Sequence, residues 1–333
     1  MTSTQDLSFG CATEASYGTN TTVARWFEFL DTSFTFNKVI KQGQGLRVGG
    51  RVDRSGRRVV PAADAGGDLT MECTSKGMGL LWQACLGAAS STLVSGATYQ
   101  QVHTIGDNPA SLTVQIGLPE AGGTVDATTY IGCMVDSWEL AMPNSDIASL
   151  KATFDAKDVV TATAYAAPSY ASGPNLFHFA NWSISTGTLT APTTTALASA
   201  ATPVNDVRAA TLKMANNVKQ DRYNGGGAGR KAKPTEGKRD ISGTIDVEYD
   251  STVFRDAVLN ETPISLVFTY TGGALSTGVE TLQIVLPEVK LDSPLPAPNG
   301  TDLIVTTYNF SVLDNLTAAQ PIWVVTRTAD TAL

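Results

Sequence analysis

Histidine is nearly absent from this sequence, with two in 333 residues, and charged residues make up only 16% of it. Both shortages limit the chemistry available. His103 and His178 stand alone, and no H-E-x-x-H, G-x-S-x-G or Cys–His spacing accompanies them. His178 lies in the alternating aromatic run FHFANWSIS (177–185) and reads as a strand residue facing a partly polar layer. The cysteines are few as well. Cys11, Cys73, Cys85 and Cys133 are dispersed, form no C-x-x-C, and read as free thiols in a reducing compartment. No long apolar run exists: the uncharged windows 77–106 and 159–205 are broken by Gly, Pro, Ser, Thr, Asn and Gln, so no membrane span is expected. Met1 to Phe9 has no basic start followed by an apolar stretch, so no signal peptide is expected and sequons such as Asn181-Trp182-Ser183 carry no weight. No enzyme, metal site or cofactor is expected.

What is abundant is Thr, Ser, Ala, Val and Gly, which favours strands over helices. The length suits two domains of ordinary size, and the order of segments suggests that one is a copy of the other. GDLTMEC (67–73) and GTIDVEY (243–249) share a period of two and a Glu at the sixth place. A short helical run follows each, Thr74 to Leu86 and Ser251 to Leu259, with Met78, Leu81, Trp82 and Cys85 answered by Phe254, Ala257 and Val258. The same order then pairs SLTVQIG (111–117) with SLVFTYTG (265–272), VDSWELA (135–141) with PEVKLDS (287–293), and IASLKATFDAKD (147–158) with LIVTTYNFSVLD (303–314). Turns are expected at Gly122-Gly123, Pro143-Asn144, Gly272-Gly273 and Pro298-Asn299-Gly300. The expected fold is mainly β, a tandem duplication of a sandwich or rolled sheet with one short helix flanking each half. The expected divisions are an N-terminal arm (1–30), a first domain (31–158), an uncharged linker with a strand near 177–185 (159–205), a second domain (206–316) and a C-terminal arm (317–333).

The net charge of −8 conceals an uneven distribution. Residues 38–58 carry Lys38, Lys41, Arg47, Arg51, Arg54, Arg57 and Arg58 against Asp53; residues 213–239 carry Lys213, Lys219, Arg222, Arg230, Lys231, Lys233, Lys238 and Arg239 against Asp221 and Glu236. Each segment is net +6, on a remainder of net −20. Both are long, Gly-rich loops at equivalent points of the two halves, and loops of that length between adjacent strands usually have a function. A phosphate-binding loop is excluded because GGGAGRK (225–231) is followed by Ala232, so spacing and hydroxyl both fail G-x-x-x-x-G-K-[ST]. Duplex DNA binding is a rival reading, since Lys and Arg neutralise phosphates. The acidic total and the lack of a recognition helix, finger or stacking platform oppose it. The favoured reading is a basic arm meeting the acidic body of the next copy. Lys41, Arg47, Arg51, Arg54, Arg57, Arg58, Arg222, Arg230, Lys231, Lys233, Lys238 and Arg239 are the candidate contact residues. Asp136, Glu139, Asp246 and Glu248 share the polar parity of their strands and are candidates for an acidic lining. Removing residues 224–236 is expected to leave a folded, soluble monomer that cannot assemble, because the loop adds contacts between copies and little core.

Four segments together resemble the tail tube proteins, also called major tail proteins, of long-tailed (siphovirus-type) bacteriophages. They are FGCATEASYGTNTTVARWFEF (9–29), GGDLTMECTSKGMGLLWQACLG (66–87), YIGCMVDSWELAM (130–142) and LQIVLPEVKLDSPLPAPNGTDLIVTTYNFSVLDN (282–315). The resemblance implies β-sheets with one flanking helix, joined between subunits into a ring, and rings stacked into a tube through which DNA leaves the capsid. It gives residues 38–66 and 213–240 the role of the long loop that reaches neighbouring subunits. Relatives form rings of six such domains, so three double-domain chains would close a ring; if the second half is not such a domain, six chains would. The implied partners are further copies of the chain, the tape measure protein, tail-end proteins, and passing double-stranded DNA that is not specifically bound. No membrane is involved. The implied place is the virion tail, assembled in the bacterial host cytoplasm. A tail terminator or distal-tail ring protein is the nearest alternative.

Overall fold

The computed structural model describes residues 4–107, 109–293, 295–296 and 303–333. Ahead of helix α1 (Gly79–Leu86) lie strands β1 (Ser8–Thr13), β2 (Arg25–Phe27), β3 (Asp31–Thr32), β4 (Thr35–Gln42) and β5 (Arg58–Glu72). After it come β6 (Gly87–Ser95), β7 (Thr98–Ile105), β8 (Leu112–Pro119), β9 (Val125–Met142), β10 (Ser149–Ala156) and β11 (Asp158–Val160). The remainder holds β12 (Trp182–Thr190), β13 (Ser199–Val204), β14 (Val207–Ala215), β15 (Asp240–Glu248), α2 (Val253–Leu259), β16 (Ile264–Ala274), β17 (Val279–Asp292), β18 (Val305–Val312) and β19 (Trp323–Thr328). The fold is mainly β with two short helices, and all the strand pairings are antiparallel.

Pairing follows the same scheme on both sides of the chain's midpoint. β9 pairs with β8 along its first part and with β10 along its second, and β10 continues to β5 and β5 to β4. Correspondingly, β17 pairs with β16 and then β18, β18 with β15, and β15 with β14. The outer strands correspond too, β1 and β2 beside β8 matching β12 and β13 beside β16. The β6–β7 hairpin breaks the scheme. It occurs once, and β7 pairs with β19, tying the two halves together.

Alternation explains the layers. In β5, Leu69 and Met71 are buried while Asp68, Thr70 and Glu72 are partly exposed, the period-two pattern of a sheet with one dry face. The dry faces of β5, β9, β10, β14, β15 and β18 meet the helices in one continuous core. There Trp82 of α1 stands edge-on to Trp138 of β9 at 5.6 Å, and Phe254 of α2 stacks on Tyr308 of β18 at 5.9 Å. Helix α1 stops at Gly87, which takes the left-handed φ of 105°; a Cβ there would come within 2.5 Å of the Gly106 carbonyl oxygen. The four cysteines are free thiols, all buried.

Two expectations need adjusting. Gly272 and Gly273 lie inside β16 at a bulge, and the turn falls after them, where Leu275 N–H donates to the Gly278 carbonyl. The strand near 177–185 begins later, at Trp182, after a 3-10 turn at Phe179–Asn181. The turn expected at Pro298-Asn299-Gly300 lies outside the described residues.

The hairpin hides a titratable group. His103 of β7 is fully buried, and neither ring nitrogen is hydrogen-bonded. Burial disfavours the imidazolium and pulls its pKa down from 6.5 to about 3. The unfolded chain binds this proton below its ordinary pKa and the folded chain does not, so stability is lost as pH falls below 6.5. Between pH 6.5 and pH 5 the loss from this residue is about 2 kcal/mol. Urea unfolding of His103→Leu is expected to lack that share of the acid sensitivity; an unchanged pH slope would refute it.

Candidate assembly interface

Eight strand positions form one uninterrupted sheet across both halves: β3 with β4, then β5, β10, the second part of β9, β14, β15, β18 and the end of β17. The seam is the β9–β14 ladder, running from Met142 opposite Ala210 to Ser137 opposite Ala215. One cross-strand row illustrates the polar face: Asp31, Thr70, Lys151, Glu139, Lys213, Ser242, Ser311 and Lys290 stand side by side. The next row inward, Thr32, Leu69, Ala152, Trp138, Met214 and Ile241, points into the core. Around Glu139, Lys151 and Lys213 the polar face has a shallow, open depression of about 340 Å³.

Three cations on this face are paired with acids. Lys151 contacts Asp68 at 2.9 Å, Lys213 contacts Glu139 at 3.1 Å, and Arg208 contacts Glu248 at 3.3 Å. Burial raises the Asp68 carboxyl, but hydrogen bonds from Lys151 and Thr153 outweigh it and hold the group below its ordinary value. Asp246 accepts a hydrogen bond from Thr307 at 2.5 Å. Three candidate lining residues, Glu139, Asp246 and Glu248, therefore share the face. Asp136 does not. It sits at the bulge where β9 shifts register against β10, and its Oδ1 accepts the Val218 N–H at the root of the second basic loop. The face is a mixture of paired charges with acids in excess.

The two basic loops behave differently. The first forms the largely exposed tip of the β4–β5 hairpin. Lys41, Arg47, Arg51, Arg57 and Arg58 are exposed, Arg54 is half-buried, and none makes an ion pair among the described residues. Sequence reasoning missed its apolar content. Leu46, Val48 and Val52 at the tip are 85% or more exposed, and Val39, Ile40, Val59 and Val60 along the stem are also open. The spacing Leu46-x-Val48 and Val52 was legible, but the charge around it drew the attention. Exposed clustered side chains of this size mark a binding surface.

The second loop, 216–239, folds onto the first half of its own chain. Lys231 is 4% exposed and bonds Asp155, itself buried, and Asp64. Burial opposes its charge, yet those two carboxylates hold the ammonium above its ordinary range. Arg230 pairs with Asp158 at 2.5 Å over the Phe36 ring. Tyr223 donates to the Ala63 carbonyl, Lys233 to that of Pro109 and Arg239 to that of Gly106. Arg222 donates to the Lys233 carbonyl, and the Lys238 side chain is exposed. Within this chain, Arg230 and Lys231 reach carboxylates 72 to 167 residues upstream, while Arg222, Lys233 and Arg239 donate to backbone carbonyls.

Among the described residues no group of three or more His, Cys, Asp or Glu is placed to hold a metal, and no helix is long and apolar enough to cross a membrane. A sheet with one polar face and an exposed basic and apolar arm suits a structural, self-associating protein. The chain belongs to the phage tail tube protein family, whose family model matches residues 4–312. The family is structural and non-enzymatic, forms the tube of the phage tail, and places the protein in the virion tail. No match was found among curated proteins.

Proposed function

We propose that the chain is a tandem pair of tube domains that closes, three chains at a time, into a pseudo-sixfold ring, and that rings stack into a channel for DNA during ejection. The observation carrying this reading is the continuous sheet across the β9–β14 seam, which joins one half to the other as one subunit would join the next. The matched pairing schemes support the duplication, with the two halves near 31–158 and 206–316. Three chains bring 24 strands; at ~4.8 Å spacing that is a circumference of roughly 115 Å and a diameter near ~37 Å before tilt widens it. A duplex fits such a lumen. Paired charges with acids in excess let phosphates pass without a sticking surface. Closing the ring also consumes the free edge of β3 and β4, an aggregation hazard on an open sheet. In this reading the partners beyond further copies are the tape measure protein, tail-end proteins and passing DNA, and assembly takes place in the host cytoplasm.

Electron microscopy of the purified protein is the test. Long uniform tubes whose cross-sections show three chains per ring are expected. Isolated rings that never stack would point to a terminator or distal-tail ring instead. Protein that stays monomeric but binds duplex DNA in a salt-sensitive way would favour DNA binding.

A further inference from the structure

The ion pair under the second loop has the parts of a condensation site. Leu150, Ala152 and Phe154 of β10 point into the core. Asp155 has the opposite parity, yet it is buried, because the loop carrying Lys231 lies over it. Lys231 reaches Oδ1 of Asp155, while Oδ2 has no hydrogen-bond partner. A buried carboxylate that keeps its charge commonly has both oxygens bonded, so this one is under-supported as an anion. Asp64, whose side chain is 57% exposed, stands 2.5 Å from the same Nζ. An amine, a buried carboxyl group and a second acid that can carry a proton between them therefore meet at one atom. The backbone around Lys231 is also pinned to β5. The Ala63 N–H donates to the Gly229 carbonyl, and Tyr223, which bridges to Lys231, donates its hydroxyl to the Ala63 carbonyl. Gly229 takes a φ of 72°, and a Cβ there would fall 2.5 Å from the Pro61 carbonyl oxygen, so this approach needs glycine. The groups are held in contact, and the encounter that slows a bimolecular reaction is already made.

We propose that Lys231 and Asp155 condense to an amide, a side-chain cross-link that joins the second loop to β10. The ion pair is the state that the freshly folded chain holds, and the amide accumulates from it. Burial opposes charge on Lys231 and on Asp155 alike, and passing one proton from Nζ to the carboxylate neutralises both. Asp64 keeps its charge at the surface. The Nζ lone pair then attacks Cγ of the protonated Asp155, which forms the C–N bond and a tetrahedral centre. Asp64 takes a proton from the nitrogen and delivers it to the departing hydroxyl. The C–O bond breaks, one water leaves, and Asp64 is a carboxylate again. No oxidant, reductant or activated donor takes part. The step replaces a buried charge pair, which is costly to desolvate, by a neutral amide. Its consequence is mechanical. The link closes residues 155–231 into one covalent loop containing β11 to β14, and so ties the second half to the first beside the β9–β14 seam.

Intact mass of the full chain, followed from purification through prolonged incubation, tests this whether or not the protein forms tubes. A population lighter than the sequence mass by one water is expected to grow at a rate independent of protein concentration. Digestion should then release a branched peptide joining the segments around Lys231 and Asp155. Asp64→Asn leaves Lys231 against Asp155 but removes the proton carrier, and is expected to slow the mass loss roughly 100-fold. Lys231→Arg keeps a cation without an attacking amine, and should hold the full sequence mass. Wild-type chain that stays at full mass, with Lys231 and Asp155 recovered in separate peptides, would overturn the proposal and leave the ion pair as the final state. Loss of water that persists in Lys231→Arg would place the dehydration at another residue and overturn it as well.

Discussion

Replacing Lys231 with methionine is expected to cost about 3–5 kcal/mol of folding stability, a large share of the ~5–15 kcal/mol a domain commonly has. The side chain bonds Asp155 and Asp64 beneath the second loop, and Asp155 is itself 4% exposed. One Asp155 oxygen, Oδ2, already lacks a hydrogen-bond partner, so the carboxylate has nothing else to lean on. Burial raises its pKa, and the Lys231 ammonium opposes that rise. Without the lysine, the rise is unopposed and the folded protein holds a proton that the unfolded chain has released. The deficit is then smallest near pH 4 and grows as pH climbs through the raised pKa. Urea unfolding at pH 4.5 and pH 8 measures the difference. Asp155→Asn combined with Lys231→Met is expected to recover most of the loss, because no unpaired charge remains. A single variant as stable as the wild type at pH 8 would show that the loop is not anchored as described. The same chemistry bears on deletion of residues 224–236, which takes Lys231 and Arg230 with it and leaves Asp155 without its partner, so a loss of folding stability is expected there as well.

Why was this invisible in the sequence? Both basic loops have the same net charge and similar glycine content, so composition alone gave them one role. What separates them is the partner. Asp155 lies 76 residues before Lys231, and nothing in either segment announces the pairing. By contrast, the strands were legible because a one-residue slip would turn every buried side chain outward, so Leu69 and Met71, or Ile245 and Val247, can point only one way. The β6–β7 hairpin escaped for the opposite reason. Its inner positions hold Thr98, Gln100, Gln101 and His103, all buried, so burial there leaves no hydrophobic alternation to read. Asp136 was placed on the polar face by parity, and a bulge at that residue broke the parity. Local pattern reported the strands faithfully; long-range pairing and irregularity decided the rest.

Shortening the first arm is expected to abolish assembly while leaving the fold intact. Gln42 pairs with Arg58 at the last rung of the β4–β5 ladder, so residues 43–57 can be replaced by Asn-Gly as a two-residue hairpin turn. The deletion removes Leu46, Val48 and Val52, of which the first two are as exposed as in an extended chain, so no core is lost. Chain entropy changes little, since a shorter loop costs slightly less to close. The unfolding midpoint in urea should therefore stay within experimental error of the wild type. Assembly is another matter. The arm supplies Arg47, Arg51, Arg54 and Arg57 together with the apolar tip, and in the proposed ring its contact would repeat at each chain-to-chain junction. Losing it weakens every junction at once, and a closed ring needs all of them. Analytical ultracentrifugation should find monomer where the wild type sediments as tubes, at low and high salt alike. Charge reversal at Arg54 alone leaves Leu46, Val48 and Val52 in place, so its defect should depend on salt and the deletion's should not. If the shortened chain still forms tubes, the sheet edges suffice for closure and the arm serves something else.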